Sequence, residues 1–295
     1  MLTEKNSIKT QIEFGTALLE KVSDSAKLDS QVLLSFVLDK EINYLYTWPE
    51  KLLTASQLTS YLALLQERLL GKPIAYITGV KEFWSLPFYC DASTLIPRPD
   101  TEVLIEQILV EVEENLEKKL SDTENKIISC IDLGTGTGAI ALALASEKPS
   151  WDIEAIDYSE NAVTLAQKNA KYLGINNVNI YQSDWFLNVG TDKRFDVIIS
   201  NPPYIDEKDI HLSQGDVRFE PLSALVAQDE GLADITKIVN QAVPYLKQRG
   251  YLFFEHGYNQ GEAVRNIMLA SGFSGVKTIR DYGENDRVTF GTIHQ

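Results

Sequence analysis

Apolar residues recur at two different spacings along this chain, and the spacing changes near residue 75. Before that point they return every three or four residues, which is the period of a helix with one buried face. One such stripe comprises Leu28, Val32, Leu33, Phe36 and Val37. The pattern predicts a small helical bundle over residues 1–75, with this stripe facing its core.

Short apolar pieces follow the predicted bundle, at Ile74–Ile77 and from Phe83 to Tyr89. Gly79 and Pro87 interrupt them, and short runs between such breaks favour β-strands. We therefore predict that residues 76–94 form a β-hairpin linker.

From residue 95 onward, short apolar runs alternate with helical patterns. This alternation is typical of βαβ units, in which helices cover both faces of a parallel sheet. The predicted strands are Ile127–Ile131, Ile153–Ile156, Val178–Tyr181, Val197–Ile199, Tyr251–Phe254 and Val276–Ile279. The predicted helices are Thr101–Lys118 and residues 139–147, 160–173, 231–247 and 260–271. A last apolar run, Arg287–Ile293, has no helix before it and is expected to pair antiparallel, so residues 95–295 are predicted to form an α/β domain.

Charge and composition narrow the possible functions. The 295 residues include 27 Lys and Arg against 42 Asp and Glu, a net charge of −15. Nucleic-acid binding relies on cations that displace counterions, so direct nucleic-acid binding is not expected. Cys90, Cys130 and the three histidines form no metal-ligand spacing and no disulfide framework, so no metal is expected. There is no signal-peptide pattern and no apolar run of membrane-spanning length, which predicts a cytoplasmic protein without membrane contact.

A glycine-rich segment lies between the first strand and the first helix predicted after it. Glycines at this place let the backbone turn tightly and approach a nucleotide. Asp157 follows the next strand, nineteen residues after Gly138, where a carboxylate reaches ribose hydroxyls. The predicted cofactor contacts here are Gly134, Thr135, Gly136, Thr137, Gly138 and Asp157.

The glycine segment alone leaves two cofactors open, because Gly134, Gly136 and Ala139 also fit the fingerprint of NAD enzymes. Asp132 precedes the glycines, where its charge would attract an ammonium group and repel a dinucleotide pyrophosphate. S-adenosylmethionine carries such an ammonium group. Its adenine amino group could donate to Asp184, which follows the third strand, and Trp185 could offer an aromatic face.

The tetrad Asn201-Pro202-Pro203-Tyr204 follows the predicted strand Val197–Ile199. Pro202 has no N–H and keeps Asn201 extended. The Asn201 side-chain oxygen and the Pro202 carbonyl can accept the two hydrogens of a planar NH2 group, and Tyr204 can cover its face. The nitrogen of an amide or aromatic amine is difficult to methylate because its lone pair is delocalised. Two acceptors that hold its N–H groups and aim the nitrogen at the methyl group can promote the reaction without a strong base. Asn201, Pro202 and Tyr204 are predicted to be catalytic, and these three together with Pro203 are predicted to bind the substrate.

These motifs resemble those of the HemK/PrmC family, the peptide chain release factor glutamine N5-methyltransferases. The resemblance rests on the segment Leu95–Glu102, the glycine segment, the tetrad and the segment Arg218–Pro221. It implies a seven-stranded, Rossmann-like class I methyltransferase domain after a helical domain that helps dock the release factor. The implied reaction transfers a methyl group from S-adenosylmethionine to the glutamine of a Gly-Gly-Gln motif. Asp100 stands where the family motif has glutamate.

The resemblance also implies roles for single residues. Asn201 would touch both cofactor and substrate, and Trp185 would pack beside the adenine. Arg98 and Glu102 are expected to pair at the substrate entrance, and Glu220 to order the loop after the tetrad. Independently of the resemblance, His256 lies in no recognisable catalytic motif and is expected to have a structural or family-variable role.

Three other functions remain as alternatives at this point. For an adenine-N6 DNA methyltransferase, the adenine base would present the same kind of NH2 group to the tetrad. Such an enzyme must bind a DNA duplex and flip the base out of it, and the acidic net charge opposes duplex binding. An NAD dehydrogenase would need a proton-transfer residue, for which His256 is the best candidate. A binding module that only retains the cofactor fold would not need the tetrad.

Overall fold

The computed structural model describes residues 6–117 and 127–294. These residues form two units. The first unit contains the chain up to Val80 together with Ser213–Phe219, and the second contains Lys81–Leu212 and the chain from Glu220 onward.

The described part of the first unit contains five α-helices. They are α1 (Ile8–Leu19), α2 (Ala26–Leu38), α3 (Ile42–Thr47), α4 (Ala55–Leu69) and α5 (Ile74–Thr78). The predicted bundle is confirmed, but Leu28 and Phe36 are 53% and 51% exposed, so their assignment to the core was wrong. Ser30 faces inward instead, because its hydroxyl lies 2.7 Å from that of the buried Tyr61. The buried face of α2 thus includes a polar pair and differs from the most apolar stripe.

The strand predicted at Ile74–Ile77 was wrong, since these residues belong to α5. Pro73 precedes the helix and Gly79, with a left-handed φ of 75°, ends it. The hairpin comes just after, with β1 at Val80–Phe83 and β2 at Leu86–Tyr89. Its two-residue turn has positive φ at both positions, as in the tight turns that join antiparallel strands.

Seven strands in the described part of the second unit form one sheet: β3 (Ser129–Leu133), β4 (Asp152–Asp157), β5 (Val178–Gln182), β6 (Phe195–Ser200), β9 (Leu246–Glu255), β10 (Phe273–Arg280) and β11 (Asp286–Ile293). Their order across the sheet is β10-β11-β9-β6-β3-β4-β5. Strands β3, β4, β5, β6 and β9 run parallel, and β11 pairs antiparallel with both β9 and β10. The antiparallel entry of the last strand is therefore confirmed. A separate two-residue pair joins β7 (Ile205–Asp206) to β8 (Val226–Ala227).

The helices of the second unit are α6 (Glu102–Val112), α7 (Ala139–Glu147), α8 (Glu160–Leu173), α9 (Ala233–Ala242) and α10 (Gly261–Ala270). A π-helical turn, Glu113–Glu117, continues α6, and Lys118, the predicted end of this helix, lies outside the described residues. The helix predicted to reach residue 247 ends five residues earlier, because Pro244 allows only a 3-10 turn before β9 begins.

Two apolar cores lie on opposite faces of the sheet. Along β6, Val197 and Ile199 belong to one core and Ile198 to the other, as expected for a strand buried on both faces. This packing leaves the carboxyl ends of the parallel strands as the edge where loops can form a site. None of the helices in the described part of the chain is long and apolar enough to span a membrane.

Candidate active site

Strands β3 and β6 lie side by side at the point where the order of the strands reverses. Their last residues, Leu133 and Ser200, are partners in register, and the Ser200 hydroxyl donates to the Leu133 carbonyl at 2.8 Å. The residues that follow, Gly134 and Asn201, therefore start from neighbouring positions at one edge of the sheet. Ligands of open α/β sheets bind at this switch point.

The glycine segment is held by backbone contacts. The N–H groups of Gly134 and Thr135 both donate to the Ile156 carbonyl on β4, at 2.9 and 2.8 Å. Gly134 has a φ of 76°, in the left-handed region that favours glycine. A Cβ added at Gly138 would lie 3.0 Å from Leu142 and 3.2 Å from Ala166, so this glycine allows α7 and α8 to pack closely.

Asp157 fixes the same segment from the end of β4. One carboxylate oxygen accepts from the Gly136 N–H at 2.9 Å and the other from the Ser159 N–H at 2.8 Å. Burial raises the pKa of this carboxyl, while the backbone donors oppose that shift. Each oxygen retains a second lone pair, so the carboxylate can still accept from ribose hydroxyls.

A cavity of about 330 Å³ opens at this edge. The predicted site residues that line it are Gly134, Thr135, Gly136, Thr137, Asp157, Asp184, Trp185, Asn201 and Pro203. The predicted site residues outside its lining are Asp132, Gly138, Pro202 and Tyr204. The structure thus brings most of the predicted cofactor contacts together around one space.

Asp132 lies beneath the glycine segment rather than on the cavity wall. It is fully buried, and one of its oxygens accepts from the Thr135 hydroxyl at 2.6 Å. Its other oxygen has no hydrogen-bond partner among the described residues, and burial raises the pKa of the carboxyl to about 7. A buried acceptor without a donor fits a cofactor that carries an ammonium group. Contact between Asp132 and the cofactor stays a prediction.

The expected adenine end contains a residue that the sequence did not single out. Lys237 of α9 lines the cavity, and its Nζ lies 3.0 Å from an Asp184 carboxylate oxygen. Trp185 has a left-handed φ of 46°, and its ring lies 3.6 Å from the position of a Cβ added at Gly134. The aromatic ring therefore borders the glycine segment. Only the fold brings Lys237 to Asp184, since 53 residues separate them.

In the tetrad, Asn201 and Pro203 face the cavity and Pro202 is buried. No residue within 6–117 or 127–294 hydrogen-bonds to the Asn201 side chain, so its amide is available to a ligand. The Tyr204 hydroxyl donates to Glu255 at 3.2 Å, and its carbonyl accepts from Gln260 at 2.9 Å. Sequence reasoning missed Glu255 and Gln260, although Glu255 ends a strand at the ligand-binding edge.

The expected Arg98–Glu102 pair was wrong. Arg98 pairs with Glu220, whose side chain is fully buried and also accepts from the Ile96 N–H at 3.3 Å. Glu102 instead accepts from the Trp84 N–H at 2.8 Å. Residues four apart face each other only on a helix, and Arg98 has an extended backbone.

His256 is fully buried and both of its ring nitrogens have partners. Nδ1 lies 2.8 Å from the Gly257 carbonyl and Nε2 lies 2.7 Å from the Thr289 hydroxyl. Burial lowers the pKa of the imidazole, which keeps it neutral. These contacts fit a structural role better than proton transfer.

The strand order, with one antiparallel strand inserted beside β9, and the ligand edge at β3, β4 and β6 define a class I methyltransferase that uses S-adenosylmethionine. Residues 109–218 match the methyltransferase small domain and residues 11–79 match the PrmC N-terminal domain. A crystal structure of a methyltransferase from Pyrococcus furiosus has the same fold, with a TM-score of 0.52 at 18% identity over 78% of this chain and 98% of that one.

Two full-length relatives give the more specific assignment. The release factor glutamine methyltransferase of Shewanella oneidensis is 48% identical over 291 residues, which cover 98% of this chain and 97% of that protein. The one from Escherichia coli (strain K12) is 50% identical over 275 residues, which cover 93% and 95%. The chain belongs to the release factor glutamine methyltransferase family.

Proposed function

We propose that this enzyme methylates the side-chain nitrogen N5 of the glutamine in the Gly-Gly-Gln motif of peptide chain release factors. Family membership supports the reaction. The observation that carries the proposal for the site is the Asn201 amide, which faces the cavity beside the glycine segment with no described partner.

The cofactor would be held by the wall of the cavity that the glycine segment forms. Asp157 would accept from the ribose hydroxyls, Trp185 would pack beside the adenine, and Asp184 would accept from its amino group. Gly134 through Gly138 would bring their backbone against the nucleoside and the amino-acid part. When bound, S-adenosylmethionine supplies a methyl group activated by its positive sulfur.

The tetrad would hold the glutamine amide. The Asn201 side-chain oxygen and the Pro202 carbonyl would accept hydrogen bonds from its two N–H groups and thereby raise the electron density on the nitrogen. As the N–C bond formed, the S–C bond would break with its electron pair kept by sulfur, and the proton lost from the nitrogen would pass to solvent water. Burial and the nearby Glu255 raise the pKa of Tyr204 well above its ordinary value, so the phenol stays protonated and acts through its ring face.

The remaining assignments concern the domains and the partners. The helical domain, residues 1–75, would dock the release factor, residues 76–94 would link it, and residues 95–295 would carry out catalysis. The match of residues 11–79 to the PrmC N-terminal domain supports a distinct N-terminal domain over most of the first stretch. Because release factors act on ribosomes, the site of action would be the cytoplasm, and the charge of −15 argues against direct nucleic-acid binding.

A methyl-transfer assay tests the proposal. Labelled S-adenosylmethionine is offered with purified release factor and, separately, with unmethylated duplex DNA, and mass spectrometry locates the label. A release factor with the motif glutamine changed to alanine is the control. Label on the glutamine is expected. Label only on adenine would overturn the glutamine reading, and bound cofactor without any transfer would indicate a non-catalytic module.

A further inference from the structure

Gln260, at the start of α10, contacts the tetrad through its backbone. The side chain is buried, with 7% exposed, and its Nε2 donates to the carbonyls of Tyr204 at 2.9 Å and Glu230 at 3.0 Å. Its Oε1 accepts from the Gly257 N–H at 2.8 Å. Both N–H bonds of this amide are therefore used to join the tetrad to a second backbone segment.

That second segment is a strained turn before α9. Asp229, Glu230 and Gly231 have consecutive positive φ values of 54°, 57° and 82°. Such conformations persist in non-glycine residues only where surrounding contacts hold them. A Cβ added at Gly231 would lie 2.0 Å from the Tyr204 carbonyl oxygen, so the turn lies directly against the tetrad. The Gln260 bond to Glu230 is one of the contacts that hold it there.

Glu255 contacts the other end of Tyr204. The residue is 1% exposed, and its Oε1 accepts a hydrogen bond from the Tyr204 hydroxyl at 3.2 Å. The Asp281 carboxylate lies 3.0 Å from the guanidinium group of Arg287. The positive charge of Arg287 favours the ionised form of Glu255 and so lowers its pKa, against the larger effect of burial. The tyrosine is thus attached at its carbonyl and at its hydroxyl, both times by residues that follow or end β9.

We propose that Gln260 is a positioning residue for methyl transfer, which fixes the Asn-Pro-Pro-Tyr backbone against the strained turn, with Glu255 as a second, weaker hold on Tyr204. Neither residue lines the cavity, so neither contacts the cofactor there. The kinetic part of this inference rests on the proposed function. The structural part does not, because the contacts hold the tetrad whatever amide or amine it accepts.

The test compares Gln260→Glu with Asn259→Asp. The first change keeps the side-chain shape but replaces two donors with an acceptor that faces two carbonyls. The second makes the same change of charge at the adjacent exposed residue. Hydrogen–deuterium exchange of peptides covering residues 201–206 and 229–232 is measured first. We expect about tenfold faster exchange in Gln260→Glu, from the loss of hydrogen bonds, and no change in Asn259→Asp.

Kinetics with release factor form the second measurement. A small misplacement of a reacting group can lower turnover by about 100-fold, so kcat of Gln260→Glu is expected to fall by this order while the Kd of S-adenosylmethionine changes less than about threefold. Gln260→Asn, which retains both donors on a shorter side chain, should recover part of the kcat if positioning is the cause.

The two measurements separate the possible failures. Unchanged exchange in Gln260→Glu, or wild-type kcat, would overturn the positioning role. A loss of kcat with an equal loss of cofactor affinity and of thermal stability would also overturn it, since that pattern indicates general unfolding. If wild-type enzyme leaves release factor unmethylated while exchange still rises in Gln260→Glu, the proposed function fails and the positioning role stands.

Discussion

The two halves of the active site are held in place by different kinds of contact. On the cofactor side, two neighbouring residues at the end of β4 position the glycine segment, through the backbone carbonyl of Ile156 and the side-chain carboxylate of Asp157. On the substrate side, the tetrad depends on side chains more than fifty residues further along the chain, Glu255 and Gln260. The difference indicates that mutations in the first half should change cofactor affinity and those in the second should change turnover.

Asn201→Ala gives the strongest test of this separation. Loss of the amide acceptor should lower kcat by about 10²- to 10³-fold, as loss of one oriented polar group in a reaction site does. The Kd of S-adenosylmethionine should change only modestly, because the glycine segment and Asp157 remain. Steady-state kinetics and titration calorimetry measure the two quantities. Asn259→Ala, the same change at an exposed position, is the control, and near wild-type kcat in Asn201→Ala would refute the amide-holding role.

Asp157→Ala should show the opposite pattern. The variant loses the carboxylate that accepts the Gly136 and Ser159 N–H groups and is expected to accept ribose hydroxyls. The variant cannot form the two hydrogen bonds expected between the ribose hydroxyls and this charged group. Their loss should raise the Kd of S-adenosylmethionine by about 30-fold or more. At saturating cofactor, kcat should stay within a few-fold of wild type. A large fall in kcat with unchanged Kd would mean that the two halves are not separable.

The sequence predicted the placement of site residues best where the contacts are local, while their cofactor-binding roles stay predictions. The glycine segment and Asp157 are recognisable because a strand, a tight turn and a helix within about 30 residues are sufficient to form them. The partner of Arg98 was not predictable in this way, because Glu220 is 122 residues away and reaches it only through the fold. Gln260 gives no signal in the sequence either, since an isolated glutamine after a strand is usually a surface residue.

The pH dependence of cofactor affinity can test whether Asp132 contacts the cofactor. Its pKa of about 7 means that the carboxyl is protonated below pH 7. If an ammonium group meets the ionised form, cofactor binding releases a proton there, and affinity should fall about fivefold from pH 7 to pH 6, as the ionised fraction of the carboxyl falls. Asp132→Asn should bind more weakly at pH 8 and lose this dependence. Equal pH dependence in both proteins would exclude direct contact.

Stability provides the control for that experiment. Because the folded-state pKa of Asp132 lies above its ordinary value of 3.8, the folded state binds the proton more tightly. Its contribution to the free energy of unfolding is therefore present below about pH 4 and is lost as pH rises through 7. Without cofactor, Asp132→Asn should be more stable than wild type at pH 8, and this advantage should disappear at low pH. Thermal unfolding at several pH values measures it.

Tyr204→Phe has the smallest expected effect. It separates the contribution of the aromatic ring of Tyr204 to turnover from that of its hydroxyl. The hydroxyl donates to the buried Glu255, so its removal leaves that carboxyl without this donor while the aromatic face is retained. Loss of one hydrogen bond corresponds to a decrease in kcat of about threefold, with a lower melting temperature. Tyr204→Ala should be far more severe, because the ring itself is lost. A decrease of 100-fold or more in Tyr204→Phe would instead assign the hydroxyl a direct part in the chemistry, and the substrate half would then depend on a proton donor as well as on position.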